Sequence, residues 1–224
     1  MQKQVKDEIL SFYQTYKNGI DDLANYLQVP PIWLVCIFFQ ESGLNPKIVN
    51  GIGASGLNQL LASTAEGLGI DIVRYRTGDV AYQLASMKKF FKPIAGKIKS
   101  AGDLYLYNFY PAAILKNYGN DEVIGEKGNY DKAPNSNLTK HYIYSKNVGL
   151  DYNADRKLTR GDVVSLFTDK FNELLVEPKE KQIERIAKVD VVTPPHQYRY
   201  GYYIAIAGAT LLITYFVYKK IKNV

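Results

Sequence analysis

The sequence predicts a mainly α-helical protein: a helical domain followed by a single transmembrane helix at the C-terminus. Three observations carry this. "PIWLVCIFFQES", Pro31 to Ser42, is apolar nearly all round and lies between Pro31 at a first helical turn and Gly43, so it reads as a buried helix. The segments around it show helical apolar spacing and are broken by Gly and Pro. Finally, Gly201 to Tyr218, "GYYIAIAGATLLITYFVY", runs 18 residues without a charge, close to the roughly 20 apolar residues that cross a bilayer as a helix.

Taken in order, Met1 to Tyr16 is amphipathic, and Asp21 to Leu27 is a short second helix ended by "VPP". The apolar helix follows, stopped by Gly43 in the C′ position. Asn45 to Gly56 carries three Gly and one Pro and must be a loop or a short extended excursion. Helix is expected to resume over "SGLNQLLASTAEGLG", where Ser63 with Glu66 reads as a capping box. Val80 to Phe91 and Leu104 to Lys116 are further helices, the second interrupted by Pro111. Val176 to Pro195, rich in charge and ending in a Pro pair, suits a stalk. The uncharged run has Tyr near both ends and Lys219, Lys220 and Lys222 after it, as a membrane interface wants. Gly201, Ala205 and Ala209 at four-residue spacing would allow close helix packing there. The expected organisation is a catalytic domain over 1–145, a loop and helix over 146–175, a charged linker over 176–197 and an anchor with a basic tail over 198–224.

Composition narrows the partners. Basic residues exceed acidic ones, 28 against 22, for a net charge of +6, which suits an anionic neighbour such as a cell wall or a lipid surface. The basic residues are not interleaved with aromatics on one face, so nucleic acid is not an expected partner. The 19 Tyr favour carbohydrate or membrane-interface contacts. Cys36 is the sole cysteine, which excludes an intrachain disulfide, and with His141 and His196 isolated no zinc spacing can be built. The N-terminus lacks the basic start and apolar stretch of a secretory signal.

Glu41 is the residue whose position asks for a chemical explanation. It sits in the last turn of the apolar helix, where burial and the negative end of the helix dipole both disfavour the charged carboxylate. A carboxyl kept protonated near neutral pH is what a general acid needs to protonate a departing glycosidic oxygen. Between Ser42 and Ala65 there is no Asp or Glu, so a second carboxylate of the kind hydrolases use is missing nearby, although a distant one such as Asp103 could enter in three dimensions.

Three segments extend this beyond one residue. "ESGLNP" at Glu41 to Pro46, "GASGLNQL" at Gly53 to Leu60 and "STAEGLGI" at Ser63 to Ile70 resemble, in order and spacing, the catalytic domain of soluble-type lytic transglycosylases. That family shares a goose-type lysozyme-like helical fold. "DLYLYNFYPAAI", Asp103 to Ile114, is similar to the third motif of bacteriophage members. The resemblance implies Glu41 as catalytic acid and base, Ser42 orienting it or the substrate, and Gln59 contacting sugar. It departs at Asn58, where the family usually has Met. It also implies a tyrosine facing the catalytic carboxyl: Tyr107, followed by Asn108, or Tyr110.

One further loop stands out. Asp151 to Asp162, "DYNADRKLTRGD", places oxygens at positions 1, 3, 5, 9 and 12 through Asp151, Asn153, Asp155, Thr159 and Asp162, as an EF-hand-like calcium loop does. Position 6 is Arg156 rather than Gly. Two readings stay open: a structural calcium site, or a loop in which Arg156 or Lys157 substitutes its charge for the ion.

The resulting expectation is a membrane-anchored peptidoglycan lytic transglycosylase. It would cleave the MurNAc–GlcNAc β-1,4 bond to a 1,6-anhydro product and need no cofactor for the chemistry. The phage-like third motif and the anchor suggest a virion enzyme for wall penetration at entry, single-pass in a virion internal membrane or the host inner membrane, beside other virion membrane or capsid proteins. A hydrolytic lysozyme and a non-catalytic wall-binding or assembly protein are the alternatives.

Overall fold

A computed structural model of the chain describes residues 2–128 and 140–175. The expected stalk and anchor, and His196, lie outside these residues. Among the described residues no single helix is long and apolar enough to cross a membrane.

The architecture is mainly helical. Helix α1 (Gln2–Thr15) leads into α2 (Lys17–Leu27), which ends with Gln28 in the left-handed region, φ 59°. The chain then turns, and α3 (Pro31–Ser42) runs 108° from α2. Pro at its first turn and Gly43 as a left-handed cap, whose N–H reaches the carbonyls of Phe38 and Phe39, bound α3 as the sequence leads one to expect. Its buried residues include five successive apolar side chains, Leu34, Val35, Cys36, Ile37 and Phe38. A helix apolar on every side can only be a central one, and α1, α2 and a later helix pack around it.

Residues 43–61 are irregular, crossed by isolated bridges between Val49 and Ser55 and between Ser55 and Leu60. The helix expected over Ser55 to Gly69 is cut short: only α4 (Ala62–Gly67) forms, and its cap is Leu61 with no side-chain bond. Ser63 is therefore inside the helix and the capping box does not exist. A short α5 (Ile72–Arg76) is capped by Asp71, and α6 (Val80–Phe91) by Asp79, whose side chain accepts from Tyr82 N–H. A 3₁₀ turn at Lys92–Ile94 ends this part.

Two helices, α7 (Ala101–Phe109) and α8 (Pro111–Leu115), replace the single interrupted helix, with the break at Tyr110. The remaining elements are β1 (Val123–Glu126), α9 (Lys140–Lys146), a 3₁₀ turn at Val148–Leu150, β2 (Lys157–Thr159) and α10 (Arg160–Leu175). The strands pair antiparallel, Gly125 opposite Leu158 and Glu126 opposite Lys157, with an irregularity between Val123 and Gly125. One hydrophobic core joins Ile9 of α1 and Leu23 of α2 to Phe38, Tyr105, Ile143, Phe167 and Phe171. The boundary expected at residue 146 falls inside this core.

Helix α10 lies along α7 closely enough that a side chain at residue 102 is excluded. A Cβ on Gly102 would stand 2.2 Å from the carbonyl oxygen of Val164 and 2.7 Å from its Cα, both backbone atoms that cannot swing aside. Gly102→Ala is expected to lower the unfolding free energy by about 1–3 kcal/mol in urea titrations. Gly119→Ala, where a Cβ meets nothing within 4 Å, should stay within about 0.5 kcal/mol of the parent chain.

Candidate active site

Glu41 ends the buried helix and is itself 1% exposed. Its neighbours on α3 are equally enclosed. Ser42 is fully buried and its hydroxyl donates to the Phe38 carbonyl at 2.7 Å, one turn back along the same helix. Gln40 is buried too, and its side-chain oxygen takes a hydrogen bond from the Lys170 ammonium of α10.

The loop after α3 is shaped by residues distant in sequence. Gln83 of α6, fully buried, accepts from Leu57 N–H at 3.0 Å and donates to the carbonyls of Pro46 at 2.6 Å and Tyr75 at 2.7 Å. It thereby fixes both ends of the segment that separates Glu41 from Gln59. Gly56 (φ +71°) lies against this amide: a Cβ there would meet Tyr75 at 2.5 Å and Gln83 at 2.8 Å, so only glycine fits. From α5, Arg76 binds the Ser55 hydroxyl and the Gly53 carbonyl, each at 2.9 Å. Neither Gln83 nor Arg76 is singled out by the sequence, because the loop that each holds lies 20 or more residues away.

Asn58 and Gln59 come to rest inside the protein, each 2% exposed. The Asn58 side-chain oxygen accepts from the Tyr75 hydroxyl at 2.6 Å, and its main-chain carbonyl accepts from the Asn108 amide at 3.2 Å. Gln59 donates to the Gly56 carbonyl at 3.0 Å and holds a left-handed backbone, φ 53°. The structure thus joins the second motif to the third through Asn58 and Asn108.

The third-motif tyrosines part company. Tyr107 donates to the Phe90 carbonyl at 3.0 Å and packs its ring on Phe90 and Phe91, towards α6. Tyr110 stands at the break between α7 and α8 with its ring 6.5 Å from Tyr118; burial, then Tyr118 and Glu122, push its phenol up. The tyrosine that senses Glu41 is Tyr105, two residues before Tyr107 and so on the opposite side of the helix. Tyr105 is fully buried and stacks on Phe167 of α10. Burial pushes its phenol well above the ordinary range, and the negative charge of Glu41 pushes it further. Asn108, three residues on, shares the Tyr105 face. Asp103, at the start of α7, is ion-paired with Arg160 of α10.

Residues 17–95 match the family model described as the Transglycosylase SLT domain. The SLT-type segment runs from α2 to the 3₁₀ turn after α6 and includes Glu41, Ser42 and Gln59, while α1 and α7 to α10 lie beyond it. No solved structure matches the chain significantly.

The acidic loop is held by hydrogen bonds to its own side-chain oxygens. Asp151 accepts from the N–H groups of Asp155 at 3.2 Å and Arg156 at 2.9 Å and from the Tyr144 hydroxyl at 2.9 Å. Asn153 accepts from Asp155 N–H, and Asp155 from Lys157 N–H. Asp162 accepts from Thr159 N–H at 2.8 Å and from its hydroxyl at 2.6 Å. Arg156 takes the left-handed turn itself, φ 73°, at the position where a calcium loop has Gly. Among the described residues no group of three or more His, Cys, Asp or Glu side chains is placed to hold a metal ion. Asp151→Ala, which removes the acceptor for three donors, should cost about 1–3 kcal/mol in denaturant unfolding.

Proposed function

We propose that this chain cleaves the glycan strands of peptidoglycan as a lytic transglycosylase, with Glu41 as the single acid and base. The observation that carries the reading is the placement of Glu41: a carboxyl enclosed at the end of a buried helix, inside the segment that matches a transglycosylase family, with the second and third motifs joined to each other by the Asn108–Asn58 hydrogen bond.

In this mechanism the Glu41 carboxyl gives its proton to the glycosidic oxygen between MurNAc and GlcNAc as that bond breaks. The N-acetyl oxygen of the muramic sugar assists departure at the anomeric carbon. Glu41, now ionised, takes the proton of the C6 hydroxyl as that oxygen attacks the same carbon. The product is a 1,6-anhydro ring, with no net addition of water. A hydrolase would need a second carboxylate to activate water. The carboxylate nearest to Tyr105 in sequence, Asp103, is held by Arg160, which supports the single-acid route. Tyr105 rather than Tyr107 or Tyr110 is the tyrosine assigned to the catalytic carboxyl, since its phenol is the one that Glu41 perturbs.

The setting belongs to the same proposal. The uncharged run from Gly201 to Tyr218, with its lysine tail, would tether the helical head to a bilayer. The phage-like "FYPAA" stretch at Phe109 to Ala113 favours a virion enzyme that opens the wall at entry over a bacterial inner-membrane enzyme of the same chemistry.

Incubation of the chain with purified sacculi, followed by mass spectrometry of the soluble products, tests the chemistry. Anhydro-muramic ends are expected. Reducing ends would mean hydrolysis, and no release would mean a binding or assembly protein. Glu41→Gln should abolish release. Tyr105→Phe removes a hydroxyl that has no hydrogen-bond partner among the described residues, so stability should change by less than about 1 kcal/mol. Release should nevertheless fall by about tenfold or more, as expected when a group next to a general acid is lost; undiminished activity would remove Tyr105 from the site.

A further inference from the structure

The stretch from the start of α6 to the end of α8 carries a charge pattern that the chemistry of Glu41 does not use. From Val80 to Asn120 there are six lysines and a single acidic residue, Asp103. That carboxylate is held by Arg160. Two of the lysines are engaged within the protein: Lys88 pairs with Asp22, and Lys89 donates to the Gly69 carbonyl at 2.8 Å. The other four, Lys92, Lys97, Lys99 and Lys116, are exposed. Lys97 donates to the Pro93 carbonyl at 2.9 Å, and none of the four has an acidic partner among the described residues. They gather at a cavity of about 510 Å³ where the 3₁₀ turn at Lys92–Ile94 packs against α8. Its wall is apolar at Ile98, Ile114 and Leu115 and cationic at Lys97, Lys99 and Arg160. Lys92 adjoins Pro93, and Lys116 lies between Leu115 and Asn117, all three of which line the same cavity. Leu115 is 54% exposed, a large apolar side chain standing in water among cations.

A cationic rim around an apolar wall fits an amphipathic anion. A hydrated phosphate polymer would neutralise the lysines and leave the apolar wall in water, whereas an anionic lipid surface offers phosphates to the first and the headgroup–acyl boundary to the second. We propose that this face docks the helical head onto a bilayer rich in anionic phospholipid, with lipid phosphates against Lys92, Lys97, Lys99 and Lys116 and Leu115 entering the headgroup layer. The proposal rests on the tethered reading above only for what brings the head within reach of a bilayer. A tether keeps the local concentration high. Each lysine at an anionic surface then favours the docked state by about fivefold, so four of them fix an orientation. That orientation matters for the site. Asp103 lines the cavity, and Tyr105, the tyrosine that senses Glu41, is two residues on and so on the opposite side of α7. Docking turns the Glu41 side of the head away from the lipid.

The test uses the full chain and one fluorophore. Cys36 is buried and burial pushes its thiol up to about 12, so it stays unlabelled while a polarity-sensitive dye is attached through Leu115→Cys. The labelled chain is placed in nanodiscs of phosphatidylcholine alone and in nanodiscs with roughly one-third phosphatidylglycerol. Emission should move to shorter wavelength in the anionic discs only, and should return in about 1 M salt, where screening acts over about 3 Å. Val73→Cys, at a site 74% exposed on α5, which does not line the cavity, should emit alike in both discs. Adding Lys97→Gln and Lys99→Gln should lower the ratio of docked to undocked chain by about tenfold or more. Equal emission from position 115 in the two discs, or the same shift from position 73, overturns the docking face. So does an equal shift in phosphatidylcholine discs on adding soluble polyglycerol phosphate or an acidic stem peptide, which would make this a wall-polymer surface. Co-elution with the discs reads the tether separately. A chain that co-elutes with both kinds but shows no shift at position 115 keeps its tether and loses the docking face. One that co-elutes with the anionic discs alone loses the tether and keeps the face, and one that co-elutes with neither loses both.

Discussion

A carboxyl group enclosed at the end of an apolar helix is the constraint around which the molecule is arranged. Helix α3 has no face for solvent, and its last turn presents Gln40, Glu41 and Ser42 to the interior. Burying polar groups costs free energy unless partners are supplied. The fold supplies them selectively. Ser42 is satisfied by its own helix and Gln40 by Lys170, so the polar residues flanking Glu41 are bonded within the protein and are not offered to a substrate. Cys36 belongs to the same enclosure: burial pushes its thiol up to about 12, which keeps it an inert core side chain.

The wall around that carboxyl comes from both sides of the SLT-type segment. From within it, Gln83 and Arg76 hold the loop that returns the second motif to α3. From beyond it, α7 brings Tyr105 and Asn108, and α10 backs α7 through the Tyr105–Phe167 stack, the Asp103–Arg160 pair and the close approach at Gly102. The acidic loop serves this arrangement structurally. Its carboxylates order a left-handed turn at Arg156, β2 follows at once and pairs with β1, and α10 starts in the correct direction.

Much of this was legible in residue order, and the parts that were not share a cause. Pro31 and Gly43 delimit α3 by local backbone chemistry, and Val80 to Phe91 emerges with its expected bounds because periodicity and the Asp79 cap agree. Where a conformation depends on a distant partner, sequence reading fails. The apolar spacing of Ser55 to Leu60 suggests helix, but Gln83 and Arg76 hold those residues in bridges and turns. Tyr107 and Tyr110, the two tyrosines the motif offers, lie against Phe90 and Tyr118, whereas Tyr105 is on the other side of α7. A motif aligned by its Tyr-Asn pair says nothing of which side α10 will cover, and Phe167 lies outside the motif altogether. The amide atoms of Asn58 and Asn108 left without a hydrogen-bond partner among the described residues become visible only when every neighbour is in place.

The electrostatics of the enclosure also favour one carboxyl acting alone. A second ionised carboxylate in a poorly solvated pocket would repel the first and raise the proton affinity of both. The structure gives Asp103 to Arg160, and two groups it sets by Glu41 are neutral: the Tyr105 phenol, which burial keeps protonated, and Ser42, bonded to its own helix. Neutral neighbours suit a group that would be uncharged when it gives a proton and negative when it takes one back, because their dipoles serve either state without the desolvation penalty of a fixed ion.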